Sequence, residues 1–191
     1  MTAQPATDWV PRAQRLADLL ATQGDVHHPA WKSALAAVPR HVFVPAAYRR
    51  DDTGTWQPVD VTSPSGLDLV YSPTTLVTAL VDRGTHQESI SSSTKPDLML
   101  RMLEAPDIHD GHKVLEIGTG TGYNAAVLSH RLGANLVFSV DIDAELLDSA
   151  RSRLHKIGFR PTLVTADGVG GLPEYAPFDR IIATCSVPTA P

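Results

Sequence analysis

Cysteine is almost missing from this chain of 191 residues; Cys185 stands alone. One thiol excludes an internal disulfide framework and any cysteine-rich zinc site, and it fits a reducing compartment. Long apolar runs are missing too. No stretch of about 18 apolar residues exists to span a bilayer. The opening MTAQPATDWVPRAQRL has no apolar core of signal-peptide length. The chain therefore reads as a soluble cytoplasmic protein. Positive charge is short as well: 16 Lys and Arg face 21 Asp and Glu, a formal net charge of −5, with no dense basic run. A nucleic-acid binder usually shows a basic face, so neither nucleic acid nor membrane is expected as a partner. The eight histidines are scattered without H-E-x-x-H or similar spacing, so no metal site is expected. Only His86, just ahead of a serine run, merits a test.

What is present is enough apolar residue for a core, 42% of the chain, and a change of texture near its middle. Before Thr94 the pattern is irregular. Pro11 to Gly24 reads as a helix, with Pro at its start, Leu16, Leu19 and Leu20 on one face, and Gly at its end. Ala30 to Val38 reads as a second, shorter helix, and HVFVP as a brief apolar segment. Residues 51–68, rich in Asp, Thr, Ser, Pro and Gly, read as loop. Leu67–Tyr71 and Leu76–Val81 are expected as short strands, and the Ser/Thr run that follows as loop.

From Lys113 onward strands and helices alternate: KVLEIG, a helix from Tyr123 to Leu132, NLVFSVDI, a helix from Ala144 to Ile157, PTLVTAD, and FDRIIAT. Such alternation predicts βαβ units and a parallel sheet. The expected division is residues 1–94 as an N-terminal helical and substrate-loop region and 95–191 as a Rossmann-like core. The expected class is α/β, a doubly wound, mainly parallel sheet with an N-terminal helical extension. Its fourth strand has no successor to cover its edge. The C-terminal strands are read as missing, which makes this the N-terminal portion of a longer protein.

The first strand of the core runs into Gly118-x-Gly120-x-Gly122, with Glu116 two residues ahead. Glycines let backbone approach a ligand closely. The dinucleotide fingerprint G-x-G-x-x-G would need glycine at 123, where Tyr123 stands. A carboxylate near the loop repels a pyrophosphate but attracts an ammonium and a sulfonium. That points to S-adenosylmethionine. Asp141 ends the second strand, where an acid can bond both hydroxyls of a ribose; a nicotinamide dinucleotide would use the same acid. Asp167-Gly168 ends the third strand, where a carboxylate can accept from an adenine amino group. Taken singly, each has a plainer reading: Asp143 is the better helix cap, and Asp167 fits an ordinary turn. Three acids after three successive strands, in order, carry the assignment.

VLEIGTGTGYNAAVLSHRLG, then FSVDIDAELLDSAR and TADGVGGLPEYAPFDRIIATCSVP, together resemble the protein-L-isoaspartate O-methyltransferases. ALAAVPRHVFVP resembles the same family's N-terminal segment, and ESIS its substrate-loop entry. The resemblance covers roughly residues 30 to 188. It implies a class I methyltransferase fold, S-adenosylmethionine as donor with S-adenosylhomocysteine as product, and a side-chain carboxylate as acceptor. It places Glu116, Gly118, Thr119, Gly120 and Gly122 at the methionine end. Asp141 and Ile142 fall at the ribose and adenine, and Asp167 and Gly168 at the adenine edge. Ser91 matches the family's substrate-contacting serine and is the one residue assigned a catalytic role, with Ser92 and Ser93 as further substrate-binding candidates. Thr119 and Tyr123 are placed to close over the cofactor, though Tyr123 fits helix packing equally.

Two departures stand out. The family serine is commonly followed by Gln-Pro or Ala-Pro; here Ser92-Ser93 follows, giving SISSSTKP. The preceding SPTTLVTALVDRGTHQE is longer than the family's usual turn. The pattern looks closer to the branch encoded with ATP-grasp ligases that build macrocyclic peptides. That branch esterifies an aspartate of a ribosomally made peptide, and the ester collapses to an aspartimide. Tailoring of this kind, with an ATP-grasp system as partner, is the leading expectation, and isoaspartate repair is the alternative. From other classes, a NAD-dependent oxidoreductase and a non-catalytic peptide-binding module remain open. A carboxylate with pKa near 4 is ionised at neutral pH, so no general base is demanded. Cys185 is expected as a small core residue, and Ser186 to Pro188 as a segment bordering substrate.

Overall fold

The protein is described from a computed structural model over residues 8–185. It divides into two compact units, with the boundary after Asp97.

The first unit opens with α1 (Trp9–Gln23), which buries Ala13, Leu16, Ala17 and Leu20 along one face and ends at Gly24 in the left-handed conformation. α2 (Pro29–Ala37) starts where the His28 ring accepts from Ala30 N, with Pro29 at its first position. α3 (Arg40–Phe43) is a single turn; HVFVP contributes to it. Four antiparallel strands follow: β1 (Ala47–Arg50), β2 (Trp56–Val59), β3 (Leu76–Asp82) and β4 (Gln87–Ser93), in the order β2-β1-β3-β4. Between β2 and β3 lies α4 (Pro64–Val70). The core gathers Ala13, Val44, Ala47, Val61, Val70, Tyr71 and Leu76. The expected helices are present, but helices alone are an incomplete account of this region.

Three local expectations are corrected. Leu67–Tyr71 is not a strand; most of it belongs to α4. Ser63 Oγ accepts from Gly66 N at 3.1 Å and Pro64 takes the first helical position, and these start signals outweigh the apolar run. Residues 51–68 are not wholly loop, because Trp56–Val59 pairs with β1 in register Ala47↔Val59. The Asp51 carboxylate organises that hairpin. It accepts from Thr53 N at 2.9 Å, Thr55 N at 3.0 Å and Gln57 Nε2 at 2.9 Å. With a bond from Thr53 Oγ1 at 2.5 Å, the largest contributor, they hold its pKa down at about 2. The serine run is strand β4, not loop.

α5 (Pro96–Glu104) straddles the boundary. The second unit is a parallel sheet, ordered β7-β6-β5-β8. Its elements are β5 (Val114–Ile117), α6 (Tyr123–Leu132), β6 (Val137–Asp141), α7 (Ala144–Lys156), β7 (Thr162–Thr165) and β8 (Arg180–Ala183). Asp143 caps α7, its Oδ1 accepting from Glu145 N at 2.9 Å and Leu146 N at 3.0 Å. Leu115, Phe138, Val140 and Leu172 form the core against one face. The chain runs outward from β5 to β7, then returns to lay β8 on the other side of β5. The strand order therefore reverses between β5 and β8, and in open α/β sheets ligands bind beyond the carboxyl ends of the strands at such a reversal. No helix among the described residues is long and apolar enough to cross a membrane.

Candidate cofactor and substrate sites

The loop after β5 lies at this reversal, and β8 is stitched to it. Thr184 N donates to Ile117 O at 2.9 Å, and Thr184 Oγ1 to Gly118 O at 2.6 Å. Cys185 is exposed rather than a core residue. It follows the strand and lies against Gly118: a methyl group on Gly118 would come within 2.9 Å of Cys185 Cβ, at a backbone φ of +93°. Partial burial and the charge of Asp141 push the Cys185 thiol pKa up. Gly122 is tight for a different reason. A methyl there would meet Ala150 Cβ on α7 at 3.0 Å. Only Gly120 of the three would meet nothing within 4 Å.

The loop's amides are largely spent inside the protein. Gly118 N and Thr119 N donate to Val140 O at 2.8 and 3.2 Å, and Gly122 N to Thr119 O at 2.9 Å. Gly120 N donates to Asp141 Oδ2 at 2.8 Å. A pyrophosphate site needs free amides facing the ligand. This loop instead offers carboxylate.

Below it lies a buried polar chain. Glu116 is fully buried in β5. Its Oε1 accepts from Asn124 Nδ2 at 2.7 Å and its Oε2 from Ser139 Oγ at 2.5 Å. Ser139 Oγ lies 2.6 Å from Thr119 Oγ1. Burial pushes the Glu116 pKa up to about 7, and the two hydrogen bonds only partly offset it. Asn124 Oδ1 is buried with no hydrogen-bond partner. Ser139 and Asn124 were not foreseen from the sequence. A lone serine inside the apolar strand VFSVD, and an asparagine in a helix's first turn eight residues after a buried acid, were the available signals.

Asp141 ends β6 half-buried, with Oδ1 accepting from Asp143 N at 3.1 Å. Each of its oxygens holds one backbone N–H and keeps a lone pair for another donor. Ile142 is 76% exposed. Asp167 is exposed, its Oδ1 capping Val169 N at 3.0 Å. Gly168 is glycine for packing, since a methyl there would lie 2.3 Å from an Ile117 γ-carbon. Tyr123 is buried in α6. The second unit thus brings Glu116, Gly118, Thr119, Gly120, Gly122, Asp141, Ile142, Asp167 and Gly168 to the carboxyl ends of β5, β6 and β7.

Ser91, Ser92 and Ser93 belong to the first unit, on β4. Ser91 is half-buried and Ser93 buried. The end of this strand is anchored by Arg40, itself fully buried. The guanidinium donates to Val70 O at 2.8 Å, Ser72 O at 3.0 Å, Thr74 O at 3.1 Å and Thr94 O at 3.3 Å, and reaches Ser93 Oγ at 3.4 Å. His86 lies exposed in the β3–β4 turn, its Nδ1 3.1 Å from Thr85 Oγ1. Ser186 to Pro188 lie outside the described residues.

A parallel sheet with an acid under a glycine loop and acids after the next two strands defines a class I, Rossmann-like methyltransferase fold. Solved structures agree. A protein-L-isoaspartate O-methyltransferase superposes with TM-score 0.72 at 30% identity, covering 92% of this chain and 48% of its own. A Plasmodium falciparum protein described by the same activity, solved with S-adenosyl-L-homocysteine, gives TM-score 0.65 at 12% identity over 94% and 76%. The family model for protein-L-isoaspartate(D-aspartate) O-methyltransferase matches residues 11–191, and the chain belongs to that family. A relative from Hyperthermus butylicus is 31% identical, covering 96% of this chain and 70% of its own. The chain spans 56%, 66%, 62% and 55% of the length of four other curated relatives.

Proposed function

We propose that the protein is an S-adenosylmethionine-dependent O-methyltransferase that esterifies the side-chain carboxylate of an isoaspartyl residue in a protein or peptide. The observation that carries this reading is the anionic glycine loop. Its amides at 118, 119, 120 and 122 are already bonded, while the half-buried Asp141 carboxylate supplies negative charge there. Such a site disfavours a pyrophosphate and suits a cationic nucleoside, which weighs against the NAD reading. The residues fit this cofactor: Asn124 Oδ1 is a buried acceptor without a partner, Gly120 has open space, and Ile142 offers an exposed apolar surface.

S-adenosylmethionine supplies a methyl group made electrophilic by its sulfonium. Gly118, Thr119, Gly120 and Gly122 shape the methionine end, held from beneath by Glu116 through Ser139 and Asn124. Asp141 accepts from the ribose, Ile142 packs on the adenine, and Asp167 with Gly168 borders its edge. Ser91 donates to the acceptor carboxylate, with Ser92 and Ser93 along the same strand. That carboxylate is ionised at neutral pH and needs no base. Orientation of the reactants can supply about 7–11 kcal/mol of the barrier. The methyl ester then loses methanol when a backbone amide nitrogen attacks it, closing a succinimide.

Family membership favours isoaspartate repair. The long β3–β4 hairpin, seven residues in each strand, favours a second reading, in which the acceptor is an aspartyl residue of a constrained biosynthetic peptide processed alongside an ATP-grasp ligase. Mass spectrometry of methyl transfer to matched isoaspartyl, aspartyl and cyclised aspartyl peptides separates them. Methylation of isoaspartate alone supports repair. Methylation of only the constrained aspartate, followed by methanol loss, supports tailoring. Cofactor binding without transfer to any peptide would refute both and leave a binding module.

A further inference from the structure

Ser91 lies between two breaks in the β3–β4 ladder. Val77 pairs with Ser92, but Ala79 pairs with Ser91, so Thr78 is an extra residue on β3. Ala79 pairs with Ser91, but Leu80 pairs with Ser89, so Ile90 is an extra residue on β4. The two bulges offset each other, and the register is normal on both sides. A bulge bends its strand and re-aims a side chain, and bulges concentrate beside active sites. In the register of the flanking ladder Thr78 would stand directly opposite Ser91 on the same face; the two bulges move the pairing to Ala79 and leave Thr78 beside it. Within this irregular stretch the two side chains stay in contact, and Thr78 Oγ1 donates to Ser91 Oγ at 3.1 Å.

The proton count gives that contact a consequence. A serine hydroxyl has one proton and two acceptor lone pairs. Thr78 fills a lone pair and leaves the Ser91 proton uncommitted, since Ser91 Oγ has no other hydrogen-bond partner among the described residues. We propose that Thr78 is a positioning residue for the acceptor. It polarises Ser91 and turns the Ser91 proton toward the substrate carboxylate, while Arg40 fixes the end of the strand two residues on. The inference rests on the reading of Ser91 given above and extends it to a residue on the facing strand.

The test uses the full chain with S-adenosylmethionine and a hexapeptide carrying a central L-isoaspartate, with the aspartyl hexapeptide alongside. T78V removes the hydroxyl at equal size, T78S restores it, and S91A removes the proposed donor. T78V removes a hydrogen bond between two neutral hydroxyls, a strength for which the peptide KM should rise about fivefold. The KM for S-adenosylmethionine and the melting temperature should stay unchanged, and T78S should recover the peptide KM. Should T78V unfold, T78A makes the same deletion. An impaired S91A beside a normal T78V would overturn the role of Thr78 and leave Ser91 standing. A T78S as weak as T78V would overturn it too, by showing a packing effect. A normal S91A, or an unaltered chain that methylates neither peptide, would refute the reading of Ser91 and this inference together.

Discussion

Replacing Glu116 with Gln tests whether the acid under the glycine loop is held against its own ionisation. The carboxyl is fully buried and its pKa stands at about 7, against 4.5 for a free glutamate. Below pH 4.5 it is protonated folded or unfolded, and stability is unaffected. Between pH 4.5 and 7 the unfolded chain releases the proton and the folded one keeps it, so stability falls as pH rises. The loss levels off above pH 7. At 1.36 kcal/mol per pKa unit, a shift of this size amounts to about 3 kcal/mol. Glutamine keeps both contacts: its Oε1 accepts from Asn124 Nδ2, and one of its two Nε2 protons donates to Ser139 Oγ; the second proton adds a cost that does not vary with pH. E116Q should therefore gain on the natural chain by about 3 kcal/mol between pH 4.5 and 8. Urea denaturation of both proteins across that range measures the difference and cancels every other titrating group. A stability difference that does not change with pH would refute the reasoning.

Gly118→Ala should destabilise more than Gly120→Ala. Both place a side chain at positive φ, worth about 1–2 kcal/mol, but only the first also meets Cys185 Cβ at 2.9 Å; equal losses on denaturation would contradict the packing account. Arg40→Ala should lower stability by at least about 3 kcal/mol, because four carbonyls lose a charged donor; a change in melting temperature within error would count against the anchor. Cys185 should react with iodoacetamide more slowly than glutathione at pH 8, with the rate still climbing above pH 9, because its thiol pKa is raised; mass spectrometry of the adduct follows it. Asp141→Asn should weaken S-adenosylhomocysteine binding on calorimetry, and also loosen the loop through the lost acceptor of Gly120 N; unchanged affinity would remove Asp141 from the proposed site.

The parallel core was legible in the sequence because strand and helix periods differ and strong punctuation separates them. Gly118, Gly133 and Gly158 close elements, and Asp143 opens one, so βαβ order follows from local chemistry alone. The acids at 116, 141 and 167 were legible for the same reason: each stands at or near the end of a readable strand. The first unit was less legible. Leu67–Tyr71 is too short for its apolar pattern to distinguish strand from helix, and the cap at Ser63 decided it. Trp56–Val59 carries a proline and no clean alternation, so only pairing with β1 reveals a strand. Tertiary structure alone decided what the acids touch. Burial and two neighbours distant in the chain turn Glu116 from an open carboxylate into the centre of a closed network. Gly120 N takes up Asp141, and the pairing of β3 with β4 brings Thr78 to Ser91. These contacts join residues eight to twenty-three positions apart, and local propensity does not encode separations of that length. They arise only when strands pair and an interior without water forces each polar group to find a partner.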